Sequence, residues 1–323
     1  MRAVLPADRE SPAPRVGDLP DPVPGPGEVL VAVEAAGLNH ADLLQMRGQY
    51  PPPPGESEVP GLECAGIVLE AEEGSPWPPG VRVMALTGGG AQATRAAIPA
   101  GQLMPVPDNL SLIEGAALPE AGLTAWTNLV AEGGLQAGET VLVTGATGGM
   151  GSFAVQLARE LGARVLAAGR NRERLERLRG LGIEEFFLEG ANLAQQVREA
   201  TGGRGADLVL DLTGGPGLDS HLAALANRGR LVLVGLVSGR RSEVDLGAIL
   251  TRRLRVIGSV LRARSREEKA QLVSAFAAFA LPRLRDGRLR PVVDRTFPLE
   301  QAAEAYRTME RGGVFGKIIL TLV

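Results

Sequence analysis

The segment "VLVTGATGGMGSFAVQLAR", residues 141–159, constrains the fold of this chain more than any other stretch. An apolar, strand-like run from Val141 to Thr144 leads through a glycine-rich loop into a segment with the apolar spacing of an amphipathic helix. This order is typical of the first βα unit of a doubly wound parallel sheet, in which the loop holds the pyrophosphate of a dinucleotide. The alternative is a tight turn that binds no ligand.

Three positions in the loop carry the motif. Ala146 stands in the first glycine position of the dinucleotide-binding pattern, and Gly148 and Gly151 fill the second and third. Gly148 lets the backbone approach a pyrophosphate, Gly151 lets the helix pack closely on the strand, and the amides of the helix N-terminus attract negative charge. The predicted phosphate-binding residues are Ala146, Thr147, Gly148, Gly149, Met150 and Gly151.

The next strand, "ARVLAAG", ends where dinucleotide-binding folds distinguish their cofactors. An acid at this position, about 20 residues beyond the loop, binds the ribose 2′-hydroxyl of NAD. Here Gly169 leaves room for a 2′-phosphate, and Arg170 and Arg174 can pair with it. The residues therefore predict NADPH rather than NADH. The alternative is that both arginines belong to a solvated helix face.

The rest of the chain divides into three predicted segments. Residues 1–113 hold short β-type runs between Pro/Gly clusters, which predicts a β-rich domain. Strand-like and helix-like segments alternate over residues 114–264, as expected of a dinucleotide-binding domain with a doubly wound parallel sheet. Residues 265–323 form a C-terminal segment whose β character predicts a return to the first domain. The predicted fold class is α/β.

Composition excludes several classes of protein. The net charge is −3, so no bulk positive charge attracts nucleic acid or an anionic membrane. No apolar run approaches the roughly 18 residues of a membrane-spanning helix, and the first residues lack the apolar core of a signal peptide, so we expect a cytoplasmic protein. Cys64 is the only cysteine, which rules out intrachain disulfides and a multi-cysteine zinc lobe. Arginine-rich composition and proline-rich loops indicate a thermophilic source.

Motifs along the whole chain resemble one family. The segments "AAGLNHADLLQMRGQYP", "VPGLECAGIV", "LPEAGLTAW", the glycine loop and "GGVFGKIIL" follow the order of the zinc-free quinone oxidoreductase (ζ-crystallin-like) branch of the medium-chain dehydrogenase/reductase superfamily. The resemblance implies a GroES-like catalytic domain built from both ends of the chain, a Rossmann domain between them and an active cleft where they meet. It also implies a homodimer formed through the last Rossmann strand, "RLRVIGSVL".

The same resemblance bears on metal binding and on the two histidines. Zinc-dependent relatives have a cysteine at the position of Asn39, a histidine at Leu62, and a cysteine or acid near Glu120. Because an amide is a poor zinc ligand, leucine is none, and catalytic zinc needs three ligands, we predict no metal. His40 lies beside the lost ligand position and is predicted to be a packed or solvated side chain. His221, in a predicted helix, is given no role.

The resemblance also assigns candidate catalytic residues. Asn39 lines the nicotinamide site in the family and can donate a hydrogen bond to the cofactor ribose or to a substrate carbonyl. The resemblance places Tyr50 beside the substrate opening, and the alternative is an ordinary loop tyrosine. Thr124 matches a threonine near the nicotinamide, and the alternative is simple helix packing. Asp42 is matched in the family too, although an aspartate at a helix start is as often a cap. Leu44 replaces a tyrosine that relatives often carry, which puts a catalytic tyrosine in doubt.

Further cofactor contacts are predicted where later strands end. The loops "DLTGG" and "LVGLV" fall at the carboxyl edge of the predicted sheet, where the cofactor lies in this fold. The residues predicted there are Thr213, Gly214, Gly235, Leu236 and Val237. Lys317, in the closing "GKIIL" motif, is a further candidate.

The predicted activity is reduction of a quinone by NADPH without a metal, because a quinone needs little acid or base from the protein. One alternative is an NADPH-dependent reductase of enones and other α,β-unsaturated carbonyls. Another is an NADPH-binding sensor or RNA-binding protein with little turnover. The acidic net charge and the lack of a basic, aromatic-rich stretch argue against RNA binding.

Overall fold

The computed structural model describes residues 1–6 and 13–322. The chain divides into two compact units. The first unit comprises Met1–Leu123 and Leu261–Val323, and the second, called the Rossmann unit below, comprises Thr124–Val260. No helix in the described ranges combines the length and the apolar character needed to cross a membrane.

The regular elements follow one another in chain order. The strands are β1 (Arg2–Val4), β2 (Val16–Asp18), β3 (Glu28–Leu38), β4 (Glu63–Ala71), β5 (Arg82–Leu86), β6 (Arg95–Pro99), β7 (Leu103–Pro105), β8 (Thr140–Val143), β9 (Arg164–Gly169), β10 (Glu185–Leu188), β11 (Ala206–Asp211), β12 (Leu225–Leu233), β13 (Arg255–Gly258), β14 (Val293–Pro298) and β15 (Lys317–Thr321). The helices are α1 (His40–Met46), α2 (Leu112–Gly115), α3 (Pro119–Trp126), α4 (Gly149–Glu160), α5 (Arg172–Glu176), α6 (Leu193–Ala200), α7 (Leu218–Ala224), α8 (Leu246–Arg252), α9 (Arg266–Arg285) and α10 (Ala302–Arg311).

The first unit is organised around strand β3. Its seven-stranded sheet has the order β14-β15-β3-β4-β5-β7, and β6 also pairs with β3. Along β3 the side chains alternate, so that Val29, Val31 and Val33 are buried in the main core cluster of the unit. Antiparallel pairing of β15 with the end of β3 sets Ile318 opposite Leu38. The two ends of the chain therefore build one sheet.

The Rossmann unit contains a six-stranded parallel sheet with the order β10-β9-β8-β11-β12-β13. Strand order reverses between β8 and β11, which is the topological switch point where doubly wound sheets bind their ligands. The strands β8 and β11 are buried along nearly their whole length, and this explains their continuous apolar sequences. The predicted α/β class with a doubly wound parallel sheet is confirmed.

One predicted helix is shorter than expected, and one strand was not predicted. The sequence pattern predicts a helix through "LDSHLAALANRG", but α7 ends at Ala224 and β12 begins at Leu225. Arg228 has a φ of 63°, which a helix cannot accommodate, and the carbonyl of Ala224 lies close against Gly205. Strand β10 was not predicted, because its four residues follow charged residues and show no apolar alternation.

Candidate functional site

The glycine loop has the geometry of a phosphate cradle. Gly148 is the N-cap of α4 with extended backbone, and a Cβ there would have only the carbonyl oxygen of Gly145 nearby, at 3.5 Å. A Cβ at Gly151 would lie 2.7 Å from the Cα of Ala146, so the close approach of helix and loop requires glycine. Open space in front of Gly148, at the N-terminus of a twelve-residue helix, fits the pyrophosphate of a dinucleotide.

The predicted loop residues lie together at the carboxyl edge of the sheet. Ala146 is buried and donates its N–H to the carbonyl of Ala168, 3.0 Å away, which fixes the loop on β9. Thr147 is also buried, whereas Gly148, Gly149 and Met150 are partly exposed. The loop therefore presents its backbone outward over the middle of its length.

The end of β9 lies beside this loop. Gly169 is buried, and a Cβ there would be 3.7 Å from the side chain of Thr147. Arg170 follows with an exposed side chain. The Asn171 side chain caps α5 by accepting the N–H of Arg174 at 2.9 Å. The structure thus brings Gly169, after which Arg170 and Arg174 follow, next to the predicted pyrophosphate loop.

Asp211, at the end of β11, shapes the next loop along the edge. Its Oδ1 accepts the backbone N–H groups of Thr213 and Gly214, both at 2.9 Å, and the Thr144 hydroxyl at 3.1 Å. Its Oδ2 lies 3.0 Å from Nδ1 of the buried His221. Burial opposes ionisation of Asp211, but the hydrogen bond and charge of His221 and the backbone donors outweigh it and lower the pKa of Asp211.

The loop after β12 packs against this one. The N–H of Ser238 donates to the carbonyl of Thr213 at 2.8 Å, and Gly214 forms a parallel bridge with Gly239. Just before these contacts in the same loop, the side chains of Leu236 and Val237 are 42% and 52% exposed. The residues that the sequence predicted near the ribose or nicotinamide, in "DLTGG" and "LVGLV", therefore form one continuous patch with exposed apolar side chains.

In the first unit, the partly exposed Asn39 forms a cluster with the buried side chains of Lys317 and Glu63. Lys317 Nζ donates to Asn39 Oδ1 at 2.6 Å and to the Leu38 carbonyl at 3.1 Å, and it forms an ion pair with Glu63 Oε1. Asn39 Nδ2 donates to the same Glu63 oxygen at 3.0 Å. The Lys317 ammonium thus has three acceptors, and the orientation of the Asn39 amide is fixed by a donor on one side and an acceptor on the other.

Glu63 was not identified from the sequence. Its side chain is fully buried, and its second oxygen accepts the backbone N–H of Glu120 at 2.9 Å. A Cβ at Gly37 would lie 2.6 Å from the Glu63 carboxylate carbon, so glycine makes room for the acid. The available signal was a charged residue opening the apolar strand "ECAGIV", because a buried charge requires a partner.

Asp42 holds the backbone of Asn39. Its carboxylate is completely buried and accepts the N–H of Asn39 at 2.8 Å, the N–H of Gly61 at 3.1 Å and the Gln92 amide at 3.2 Å. Burial raises the pKa of Asp42 to about 6, although the backbone hydrogen bond from Asn39 and the charge of Lys317 act in the opposite direction. Asp42 is therefore a helix-start anchor, as one of the two sequence interpretations held.

Tyr50 is held by a buried arginine that the sequence analysis missed. The guanidinium of Arg262 lies 5.2 Å from the centre of the Tyr50 ring and donates to the Tyr50 carbonyl at 3.2 Å. Arg262 also donates to the Gly88 carbonyl at 2.8 Å and to the Gln45 side chain at 2.6 Å. Burial and the negative charge of Glu120 raise the pKa of Tyr50, against the effect of Arg262. The contacts with Arg262 therefore fix the position of Tyr50.

Three further positions singled out from the sequence are Thr124, His40 and Leu62. Thr124 is partly buried in α3, and its carbonyl accepts a hydrogen bond from the Asn128 amide at 2.7 Å. His40 begins α1 with an exposed side chain, and loss of some hydration together with the charge of Arg47 lowers the pKa of His40. Leu62 is buried.

Side chains that could ligate a metal are dispersed over the described part of the chain. Among residues 1–6 and 13–322, no group of three or more His, Cys, Asp or Glu side chains is arranged to hold a metal ion. Cys64 is buried, and burial followed by the charge of Glu63 raises the pKa of its thiol to about 12. A thiol with so high a pKa is a poor ligand and a poor nucleophile at neutral pH.

A Rossmann unit with a phosphate cradle, joined in one chain to a β-rich unit, is the arrangement of a dinucleotide-dependent oxidoreductase. Residues 149–278 match the family described as zinc-binding dehydrogenase, and residues 25–108 match the alcohol dehydrogenase GroES-like domain. The chain belongs to the quinone oxidoreductase branch of the medium-chain dehydrogenase/reductase superfamily.

Individual relatives cover nearly the whole chain. Quinone oxidoreductase-like protein 2 of Bos taurus is 32% identical over 99% of this chain and 92% of its own length. Quinone oxidoreductase of Homo sapiens is 30% identical over 94% of this chain and 92% of its own length. A quinone oxidoreductase from Thermus thermophilus, solved also in complex with NADPH, is 37% identical with a TM-score of 0.84, and all of both chains is covered. The predicted family is confirmed.

Proposed function

We propose that this protein is an NADPH-dependent quinone reductase that transfers hydride without a metal. One observation carries the proposal: at the position where zinc-dependent relatives place a ligand, the Asn39 amide is held between Lys317 Nζ at 2.6 Å and the Glu63 carboxylate at 3.0 Å. An amide fixed in this way is a positioned hydrogen-bond donor rather than a metal ligand.

The amide orientation determines what Asn39 can do for a substrate. Its Oδ1 accepts from Lys317, and one Nδ2 hydrogen is donated to Glu63. Asn39 is partly exposed, so the second Nδ2 hydrogen remains available. In our proposal this hydrogen is donated to a quinone carbonyl oxygen, where negative charge develops during reduction.

The charges of the cluster favour an acceptor that needs no acid or base. The Lys317 ammonium is neutralised by Glu63, and both side chains are buried. A quinone is already electrophilic, and its reduced product is a stabilised anion that can take its proton from water, so positioning suffices. Oxidation of an unactivated alcohol requires a base or a Lewis acid at the hydroxyl, whereas the Glu63 carboxylate is buried and already bound by Lys317, Asn39 and the N–H of Glu120.

The proposed cofactor is NADPH, which supplies the hydride when bound. Gly148 and the N-terminus of α4 would hold its pyrophosphate, and Arg170 and Arg174 would pair with its 2′-phosphate. The NADPH complex of the similar Thermus thermophilus quinone oxidoreductase supports NADPH as the cofactor.

An acceptor screen tests the activity. The purified protein is expected to oxidise NADPH with 1,4-benzoquinone or 1,4-naphthoquinone, to act slowly on enones, and to leave primary alcohols unchanged in the presence of NADP⁺. Turnover should survive exhaustive treatment with a chelator, and elemental analysis should find no stoichiometric zinc. Reduction of enones with no activity on any quinone would favour the enone reductase instead.

We also propose that two copies associate through β13. This strand is at the end of the sheet, and side chains on it and near it are exposed: Leu246, Leu250, Val256 and Val260 are between 48% and 77% exposed. An edge strand with such neighbours can pair with its copy about a twofold axis. Light scattering should give twice 33.7 kDa, and Val256→Lys should halve it. Val23→Lys, at an 88% exposed valine in the first unit, is the control.

A further inference from the structure

The carboxylate of Glu189, a residue with no predicted role, lies against the glycine loop. The backbone N–H of Gly145 donates to Glu189 Oε1 at 2.9 Å. The N–H of Glu189 itself donates to the carbonyl of Gly169 at 3.0 Å. Glu189 is partly exposed and directly follows β10. One residue thus bonds both to the start of the pyrophosphate loop and to the end of β9.

The sheet order explains where this carboxylate lies. The strands run β10-β9-β8, and Leu188 is in register with Gly169. To reach the loop after β8, the Glu189 side chain must cross the end of β9. This is the place where NAD-binding folds put an acid on the ribose 2′-hydroxyl, usually from β9 itself. Here β9 ends at Gly169 and is followed by Arg170, and the acid comes instead from Glu189, directly after the neighbouring strand β10.

We propose that Glu189 is a specificity-determining residue of the cofactor site, which disfavours the 2′-phosphate of NADPH and accepts a hydrogen bond from the 2′-hydroxyl of NADH. The proposal rests on the proposed function, because it requires the dinucleotide to lie on the glycine loop. A phosphate monoester carries about −1.5 to −2 charges at neutral pH, so a carboxylate nearby repels it. Selectivity is then the difference between attraction by Arg170 and Arg174 and repulsion by Glu189.

The consequence is a cofactor preference weaker than the arginines alone would give. Removing the negative charge of Glu189 should strengthen binding of the 2′-phosphate and leave the rest of the nucleotide nearly unaffected. Glu189→Gln does this with least disturbance, because its amide oxygen can still accept the N–H of Gly145. Glu189→Ala removes both charge and acceptor, and provides a second test of the charge.

A matched control lies on the same strand. Glu185 is at the opposite end of β10, and its carboxylate pairs with Arg164 at 2.6 Å. Glu185→Gln changes the net charge by the same amount, at the edge of the sheet away from the glycine loop. Any effect of overall charge on nucleotide binding will therefore appear equally in Glu185→Gln and Glu189→Gln.

The experiment measures binding without turnover. Isothermal titration of the full-length protein with 2′,5′-ADP and with 5′-AMP gives two dissociation constants whose ratio isolates the 2′-phosphate, and NADPH and NADH give the same comparison for whole cofactors. We expect this preference for the 2′-phosphate to rise about tenfold in Glu189→Gln and in Glu189→Ala, equivalent to about 1.4 kcal/mol. In Glu185→Gln it should stay within about twofold of the wild type.

The outcomes separate this proposal from the function on which it rests. If the wild type binds both probes and the preference is unchanged in both Glu189 variants, Glu189 only secures the loop and the specificity role is wrong. If the wild type binds neither the probes nor either cofactor, the dinucleotide site itself fails, and the specificity role fails with it. An equal rise in Glu185→Gln would assign the effect to net charge and would also overturn the proposal.

Discussion

Nδ1 of His221 lies 3.0 Å from Oδ2 of Asp211, and both side chains are buried in the Rossmann unit. The other oxygen of Asp211 accepts the N–H groups of Thr213 and Gly214. His221 therefore completes the hydrogen bonding of the carboxylate that shapes a loop in the proposed cofactor site. His221, which was given no role from the sequence, thus has a structural role through its hydrogen bond with Asp211.

Replacing His221 should both destabilise the protein and weaken cofactor binding. His221→Ala leaves one oxygen of a buried carboxylate without its partner, which costs about 1–3 kcal/mol in the free energy of unfolding. Loosening of the Thr213–Gly214 turn should raise the NADPH dissociation constant by about threefold to tenfold. Urea unfolding and isothermal titration measure the two effects.

Two further variants distinguish a hydrogen-bonding role from packing. His221→Asn retains a donor near the position of Nδ1 and should recover part of both losses. His40→Ala makes the same change at the exposed histidine and should alter the free energy of unfolding by no more than about 0.5 kcal/mol. Equal losses in His221→Ala and His221→Asn would show that the ring matters only for packing.

Ionisation of Asp42 should make stability depend on pH. The pKa of Asp42 is raised in the folded protein from its ordinary value of 3.8 to about 6. The folded state therefore binds more protons than the unfolded state between these values, so this group's contribution to stability falls as pH rises. From pH 4 to pH 7, the free energy of unfolding of the wild type should fall by about 2–3 kcal/mol relative to Asp42→Asn.

The measurement is a set of urea unfolding curves at several pH values. The altered hydrogen bonds of Asp42→Asn change its free energy of unfolding by an amount that does not depend on pH. The pH dependence of the difference between wild type and Asp42→Asn therefore isolates the ionisation of Asp42. Asp108→Asn, at an exposed aspartate, should run parallel to the wild type across the range. A wild-type curve that runs parallel to that of Asp42→Asn would contradict the raised pKa of Asp42.

Features that depend on residues close together in the sequence could be predicted, whereas features that depend on distant residues could not. The Rossmann sheet was predicted correctly because its buried parallel strands, such as β8 and β11, are continuous apolar runs next to a glycine motif. These are local signals within one βα unit. Strand β10 carries no such signal, and it was missed together with Glu189, which directly follows it.

The cluster around Asn39 could not be assembled from local patterns. Asn39 and Lys317 are 278 positions apart in the chain and meet only because β15 pairs with β3. The family resemblance predicts Lys317 as a cofactor contact, but it gave no sign of the contacts that its ammonium makes with Asn39, Glu63 and the Leu38 carbonyl. Which residues pair with a buried charge depends on tertiary packing, and a single sequence does not show that packing.

Cofactor preference should depend on the arginines after β9. Arg170→Ala/Arg174→Ala removes the positive charge predicted to pair with the 2′-phosphate, and should lower the preference for NADPH over NADH by about tenfold to a hundredfold. Equilibrium titration with both cofactors gives the ratio. A double variant that prefers NADPH as strongly as the wild type would contradict the assignment.

The same helix region offers a control. Arg172 and Arg179 both pair with Glu176, and their guanidinium groups lie 5.2 and 4.9 Å from the ring centre of Phe186. These arginines are engaged away from the glycine loop. Arg172→Ala/Arg179→Ala therefore removes the same charge and should leave the cofactor preference within about threefold of the wild type.

The last prediction compares Asn39 with its neighbour His40. Replacing Asn39 should lower kcat, whereas replacing His40 should leave kcat nearly unchanged. Asn39→Ala removes the donor that we propose for the quinone carbonyl, and should lower kcat with 1,4-naphthoquinone by about tenfold to a hundredfold. It also leaves the buried Lys317 and Glu63 without a shared partner, so unfolding must be measured alongside. Asn39→Asp keeps the shape but loses the donor, and should not restore kcat.

His40→Ala, at an exposed side chain, should retain kcat within about twofold of the wild type. Loss of turnover in His40→Ala, with folding and NADPH binding intact, would instead place the acid or base of the reaction on His40.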